Sequence, residues 1–301
     1  MGFIDSFKRW RLARRGMSSG RKRRVHAENQ VALSLDRSAW VRASLYMLFC
    51  MGIGVMALRV SNSHHFTQKS SEGALFGVVV AATAVAILHT IHETVALRNA
   101  RIVLVLGGLA GHMAMVRWIS VLLEANGMPG ELKFVLIPFS LTPMIHAVLL
   151  GRTVGIFSTV YVALLGSLVI EPEDVLVYVA ISLVCGLVTV QAVYQVRKRV
   201  QLLRAGLYSG LAALLLAIMF KEINVIGCIQ GGMETCRLAG LTALAALGTG
   251  IVTALLVSGL LPVLEGTFQL TTDISWLELS DLNHKLLRRL QLEAPGTFHH
   301  S

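Results

Sequence analysis

The chain has 301 residues, of which 54% are hydrophobic and 15% are charged. Together with a mean hydropathy of +0.67, this composition excludes an ordinary soluble globular domain and indicates a polytopic α-helical membrane protein. The net charge of +10 is first of all a topology signal, because Lys and Arg favour the cytoplasmic ends of membrane helices.

Residues 1–40 form a basic tail that we expect in the cytoplasm. Its apolar residues Phe3, Phe7 and Trp10 alternate with Lys and Arg, which predicts a short interfacial helix that lies on anionic lipid. No folded nucleic-acid-binding module is visible in the sequence, so nucleic acid is not expected as a partner.

Eight apolar runs follow, and each is long enough for a membrane helix of about 20 residues. We therefore predict an all-α polytopic bundle of about eight transmembrane helices. The first helix (41–60) and a short extracytoplasmic loop (61–73) precede a seven-helix membrane domain (74–263). The predicted helices cover 41–60, 74–95, 101–123, 132–150, 152–170, 173–195, 203–220 and 238–263.

The boundary between the fourth and fifth helices is marked only by Gly151 and Arg152. A single kinked or re-entrant element over 132–170 is therefore the alternative, and it would change the helix count.

The distribution of Lys and Arg supports eight helices with both termini in the cytoplasm. In that topology most of the Lys and Arg residues in the tails and loops lie on the cytoplasmic side of the membrane. Five basic residues are predicted on the extracytoplasmic side: Arg59, Lys69, Lys133, Lys221 and Arg237. A seven-helix topology would place one of the basic clusters on the wrong side.

Ionisable residues inside membrane helices are costly and therefore suggest function. His89, His92 and Glu93 are predicted to share one face of the second helix, and His146 is predicted at a similar depth on the fourth. This intramembrane polar cluster could hold a metal or a proton. We favour a hydrogen-bonded packing network, because two residues on one helix with an uncertain third are a weak metal signal.

Cysteines and small residues give two further predictions. Cys228 and Cys236 fall in an outside loop where a disulfide is chemically feasible, although two free thiols remain the alternative. Cys50 and Cys185 are expected to fill the bundle. Gly206 and the other small residues of the late helices favour tight packing over a specific dimer contact, and homo-oligomerisation is left open.

After the last predicted helix, residues 264–296 carry leucines at three- and four-residue spacing, interleaved with Lys and Arg. This pattern predicts an amphipathic cytoplasmic connector. Pro295 and Gly296 end it, and residues 297–301 are predicted to start a new domain, with Thr297 as the N-cap of a helix that begins at Phe298.

The polar run of this C-terminal region is distinctive. It contains Thr271, Thr272 and Asp273, then Leu277, Glu278 and Leu279, then Asn283 and His284, and finally the sequence from Leu292 to Ser301. In order and spacing, this run resembles the junction at which bacterial membrane-anchored HD-domain phosphohydrolases of the 7TM-HD or PgpH type pass from their last membrane helix into the catalytic domain.

The resemblance implies a membrane bundle followed by the beginning of an α-helical HD domain, cut off at its start. In the complete protein, such a domain would use a divalent metal, Mn or Fe, to hydrolyse a cyclic dinucleotide, which the family implies is cyclic di-AMP. His300 would be the first metal ligand, with His299 as the second choice. The other ligands are absent from the 301 residues, so this chain alone should bind no metal and be inactive.

The resemblance also implies the bacterial cytoplasmic membrane, with membrane lipids and the cyclic dinucleotide as partners. The chain departs from the family between residues 61 and 72, where a large extracellular sensor domain is usual. A non-catalytic sensor or scaffold is the alternative function. A small-solute transporter is less favoured, because neither paired repeats nor interrupted helices are visible in the sequence.

Overall fold

The computed structural model of the protein describes residues 30–58, 68–128, 132–194, 196, 198–223, 233–272 and 277. The chain divides into two compact units, Met1–Ser38 and Ala39–Ser301. In the first unit the described element is helix α1 (Gln30–Arg37), which ends on the basic residue Arg37.

The second unit contains the membrane helices. Its described elements are α2 (Ala39–Ala57), α3 (Gln68–Ile91), α4 (Glu93–Ala96), α5 (Asn99–Ala125), α6 (Lys133–Leu136), α7 (Leu141–Leu150), α8 (Arg152–Ser167), α9 (Val175–Ala192), α10 (Val200–Met219) and α11 (Met233–Phe268). Every regular element among the described residues is a helix, which confirms the predicted all-α class.

Seven segments of the described chain are long and apolar enough to cross a membrane. They are Ala39–Ala57, Glu72–Ile91, Asn99–Ala125, Lys133–Leu150, Val175–Ala192, Arg199–Met219 and Thr235–Phe268. The apolar helix α8 is the eighth, but its 16 residues cover only about 24 Å at 1.5 Å per residue. The protein is therefore a multi-pass membrane protein, and the predicted number of about eight helices includes this short one.

The surface of the bundle is apolar where a soluble protein would be polar. Leu48 and Leu176 are each 72% exposed, and many other Leu, Val and Met side chains are exposed as well. In a bilayer this surface faces lipid tails, which are as apolar as these side chains. The described helices therefore contact membrane lipid.

Several observed boundaries differ from the predicted ones. Helix α3 begins at Gln68, inside the predicted loop, because the polar residues before Gly73 continue the helix beyond the apolar run. Helix α11 has 36 residues and continues through Pro262 to Phe268, past the predicted end at residue 263. A proline is tolerated there because the environment of a membrane helix can satisfy the backbone group that it frees.

The fourth predicted helix is interrupted. Helix α6 ends at Leu136 and α7 begins at Leu141, and the four residues 137–140 between them include Pro138. Pro138 explains the break, because the residue before a proline disfavours the helical conformation. No interrupted helix is expected from the sequence, and that expectation is wrong.

Helices α7 and α8 form a hairpin. They pack against each other and are joined by Gly151, whose φ of +100° is a conformation that only glycine adopts without strain. Two separate helices, and not one kinked element, occupy this region.

The interior of the bundle is built on α5 and α8. Apolar residues of α2, α3, α5 and α8 form one buried cluster, which includes Ile53, Leu88, Leu109 and Leu165. A second cluster joins α7, the end of α9, α10 and α11 around Met144 and Leu202.

Helices α10 and α11 cross at a glycine contact. A Cβ atom on Gly206 would lie 2.3 Å from the carbonyl oxygen of Gly250, and a Cβ on Gly250 would lie 2.3 Å from that of Gly206. Only glycine allows the two backbones to approach so closely. The predicted packing role of the small residues is confirmed for this pair.

Candidate functional site in the membrane bundle

His146 is a buried polar side chain with hydrogen-bond partners on two neighbouring helices. It lies on α7, is 1% exposed, and bonds to two other helices. Its Nδ1 is 2.6 Å from Oγ of Ser158 on α8, and its Nε2 is 3.2 Å from the carbonyl oxygen of Leu104 on α5. The ring therefore connects three helices.

These partners define the tautomer of the neutral ring. The carbonyl oxygen of Leu104 can only accept, so the hydrogen of His146 lies on Nε2. Nδ1 then accepts a hydrogen bond from the hydroxyl of Ser158. That hydroxyl has a second acceptor, the carbonyl oxygen of Val154 at 2.8 Å, to which it can turn. A buried imidazole with both nitrogens bonded stabilises the bundle.

The structure places the other members of the predicted polar cluster apart from this site. The hydroxyl of Tyr46 on α2 is 3.4 Å from Nδ1 of His89. His92 lies between α3 and α4, where its ring meets the edge of the Phe157 ring at a centroid distance of 5.5 Å. Glu93 is the exposed first residue of α4.

Consequently His89, His92 and Glu93 do not share one face of one helix, because α3 ends at Ile91. Partial burial lowers the pKa of His92, which therefore favours the neutral ring. Nowhere in the described residues do three His, Cys, Asp or Glu side chains form a group that could hold a metal ion.

The break between α6 and α7 borders a small cavity whose mostly apolar lining includes four residues with hydroxyl groups. Ser140, Ser209, Thr249 and Thr253 contribute to its walls, and its volume is about 10 Å³. This space holds about one water molecule. An interrupted helix can form a transport site, but a cavity of this size has no room for a solute.

Two further side-chain contacts join the ends of neighbouring segments in the bundle. Arg117 of α5 donates hydrogen bonds to the carbonyl oxygens of Met56 at 2.5 Å and Leu58 at 3.3 Å, at the end of α2. Lys133 and Asp174 form an ion pair of 3.4 Å, so the start of α6 and the start of α9 lie at the same end of the bundle.

The segment that follows α11 folds back onto the last turn of that helix. The carboxylate of Glu265 accepts hydrogen bonds from the backbone N–H of Thr272, at 3.2 Å, and from the Thr272 hydroxyl. Gln269 makes the turn with a φ of +52°. Thr272 is thereby buried at the point where the chain leaves its last membrane helix.

Three predicted site residues lie outside the described residues: His299, His300 and Cys228. Cys236 lies in the first turn of α11. The metal ligands and the disulfide therefore remain predictions. Cys50 and Cys185 are free thiols within the bundle.

Residues 67–272 match the family described as "7TM receptor with intracellular HD hydrolase". Because this match spans more than half of the chain, the protein belongs to that family of membrane HD-domain hydrolases. With α8 counted, the described part of the matched region carries seven apolar helices, and α2 precedes it.

Two relatives are cyclic-di-AMP phosphodiesterases named PgpH. The protein from Listeria monocytogenes is 26% identical over 166 residues, which are 55% of this chain and 22% of the relative. The protein from Bacillus subtilis is 26% identical over 170 residues, again 55% of this chain and 23% of the relative. The chain therefore matches less than a quarter of the length of either relative. No solved structure matches the chain.

Proposed function

We propose that this chain supplies the membrane part of a phosphodiesterase that hydrolyses cyclic di-AMP. The observation that carries the proposal is the match of residues 67–272 to the membrane HD-hydrolase family. Two relatives that share this region are named as phosphodiesterases for cyclic di-AMP. These names favour a catalytic protein over the non-catalytic sensor or scaffold.

The proposed reaction adds water across one phosphodiester bond and gives a linear dinucleotide. A divalent metal, Mn or Fe, would polarise the phosphoryl oxygen and activate the water. The described bundle has no group of residues that fits such a metal, so we assign none to it. We propose His300 as the first metal ligand of the HD domain, with His299 as the second choice.

The membrane bundle would then fix the position of the catalytic domain. Helix α11 has 36 residues and is about 54 Å long, well beyond the roughly 30 Å of a hydrocarbon core. Its last turns and the Glu265–Thr272 contact form the exit toward the region that resembles the start of an HD domain. We propose that this exit and both termini face the cytoplasm of a bacterial cell, in its inner membrane.

The test measures hydrolysis of cyclic di-AMP by the full-length gene product in the presence of Mn²⁺. We expect conversion to the linear dinucleotide. His300→Ala should lower the rate by about 100-fold or more, because the loss of a ligand weakens metal binding. The matched control is His64→Ala in the predicted loop after α2, which should retain the parental rate.

Metal content is measured on the same samples. If His300→Ala keeps both its full rate and its metal, His300 is not a ligand, and a loss in His299→Ala would then assign the role to that residue. A full-length protein that binds Mn²⁺ but leaves cyclic di-AMP intact would refute the proposed activity.

A further inference from the structure

A pocket of about 310 Å³ lies at the end of the bundle where α7 turns into α8. Its walls come from the last turn of α7, the end of α9 and the first residues after α11, with Ala147, Leu150, Val193 and Thr271 among them. The Gly151 turn joins two membrane helices, so the pocket lies where helices leave the hydrocarbon and meet the lipid headgroups.

Among the described residues that line the pocket, Arg152 carries a full charge. Arg152 is the first residue of α8, and its guanidinium lies over the ring of Tyr194 at 5.4 Å from the ring centroid. Both residues line the pocket. Arg152 forms no ion pair with another described residue. Glu265 is not among the lining residues, but its carboxylate accepts hydrogen bonds from Thr272, so its negative charge lies on the α11 side of the pocket.

Helix ends add partial charges of both signs. The last carbonyl groups of α7 and α9 each contribute about half a negative charge, and the first N–H groups of α8 contribute about half a positive charge. The full charge of Arg152 adds to the positive side. Because Arg152 is itself the first residue of α8, its charge and the positive helix end coincide, and an anion is favoured at that point of the pocket.

Beyond Arg152 and Tyr194, the described side chains that line the pocket are apolar, apart from the hydroxyl groups of Thr271 and Thr272. A free inorganic anion would leave most of this surface uncovered. A ligand with one phosphate beside a hydrocarbon portion would cover the valine and leucine walls and place its charge on Arg152. Anionic phospholipids have this chemistry, and basic pockets between membrane helices bind their headgroups.

We propose that this pocket binds the headgroup region of an anionic phospholipid, with the lipid phosphate on Arg152. The bound lipid also contacts Thr271 and Thr272, the residues through which the chain leaves α11. Such a lipid fixes that exit against the α7–α8 turn.

The test is native mass spectrometry of the purified 301-residue chain, released from detergent that contains either phosphatidylglycerol or phosphatidylcholine. We expect the protein to retain one phosphatidylglycerol and far less phosphatidylcholine. Arg152→Gln should lower retention of phosphatidylglycerol about fivefold, as expected for one basic residue near a membrane surface. Arg152→Lys keeps the charge and should restore most of it.

Two variants locate the site. Arg98→Gln removes an exposed basic residue that does not line the pocket, and it should retain phosphatidylglycerol like the parent. Thr271→Trp changes no charge but places a large side chain at the pocket, and it should lower retention. Thermal unfolding of each variant shows that it is folded.

Equal retention of the two lipids, or unchanged retention in both Arg152→Gln and Thr271→Trp, would refute the proposal. Addition of inorganic phosphate identifies the source of the anion. If millimolar phosphate displaces the lipid, the site is one for a free anion and the lipid proposal is wrong.

Discussion

His146 and Ser158 lie on the two arms of a helical hairpin and are joined by a buried hydrogen bond of 2.6 Å. A third helix approaches them so closely that a Cβ atom on Gly108 would lie 2.6 Å from Nε2 of His146. The imidazole is thus enclosed by α5, α7 and α8, and its position depends on the absence of a side chain at residue 108.

Gly108→Ala should destabilise the bundle for this reason. The added methyl group displaces His146 and breaks its bond to Leu104, and overpacking of a core typically costs about 1–3 kcal/mol. The measurement is the free energy of unfolding in mixed detergent, by circular dichroism.

The same helix offers two matched controls. A Cβ atom on Gly107 or Gly111 would meet nothing within 4 Å, and alanine is the better helix former. Gly107→Ala and Gly111→Ala should therefore be neutral or slightly stabilising. If all three variants unfold alike, the enclosure of His146 does not contribute to stability.

The sequence predicted the helices well, because about 20 consecutive apolar residues admit few other structures in a membrane. It predicted the packing of Gly206 but not its partner Gly250, since hydropathy does not specify which helices are neighbours. The break at Pro138 was predictable from the proline itself. It was missed because the apolar run continues through it without interruption.

Gly250→Ala tests the close crossing of α10 and α11. Its Cβ atom would lie 2.3 Å from the backbone oxygen of Gly206, and a backbone cannot rotate away as a side chain can. We expect a loss of about 1–3 kcal/mol in the free energy of unfolding. Gly248→Ala, whose Cβ would meet nothing within 4 Å, should show no such loss.

Arg117→Gln tests how the end of α2 is held. The guanidinium bonds the carbonyl oxygens of Met56 and Leu58, and hydrogen bonds to charged groups contribute about 1.5–3 kcal/mol. We expect α2 to separate from the bundle more readily, measured as faster proteolysis after Leu58. Arg98→Gln is the control, and equal proteolysis of the two variants would contradict this role.

The candidate site shows the limit of sequence reasoning more clearly than the fold does. His89, His92 and His146 looked alike as histidines in apolar segments, but their partners are Tyr46, Phe157 and Ser158. Those partners lie on other helices, at separations from 12 to 65 residues along the chain. Only the packing of the helices determines them.

The Cys228–Cys236 pair is tested by thiol labelling of intact cells, with mass spectrometry to locate the label. If the loop lies outside and the disulfide forms, neither cysteine reacts until a reductant is added. Cys185 is buried within the bundle and serves as the unreactive reference before and after reduction. Labelling of Cys228 and Cys236 without a reductant would show two free thiols.

Reporter fusions test the predicted topology, for which the ion pair of Lys133 and Asp174 provides a structural reason. Because these residues are 3.4 Å apart, the chain leaves one end of the bundle before α6 and returns to it after α8. The α7–α8 hairpin therefore preserves the orientation of every later helix, even if short α8 does not reach the far surface.

Fusions at Lys69 and Glu234 should accordingly report the exterior, and fusions at Lys198 and after Ser301 should report the cytoplasm. The paired reporters are alkaline phosphatase, active only outside, and a fluorescent protein that matures only inside. An exterior signal at Lys198 would contradict the arrangement, because an odd number of crossings would then precede it. In that case the exit of α11 would face away from a cytoplasmic substrate, and the proposed phosphodiesterase could not act on it.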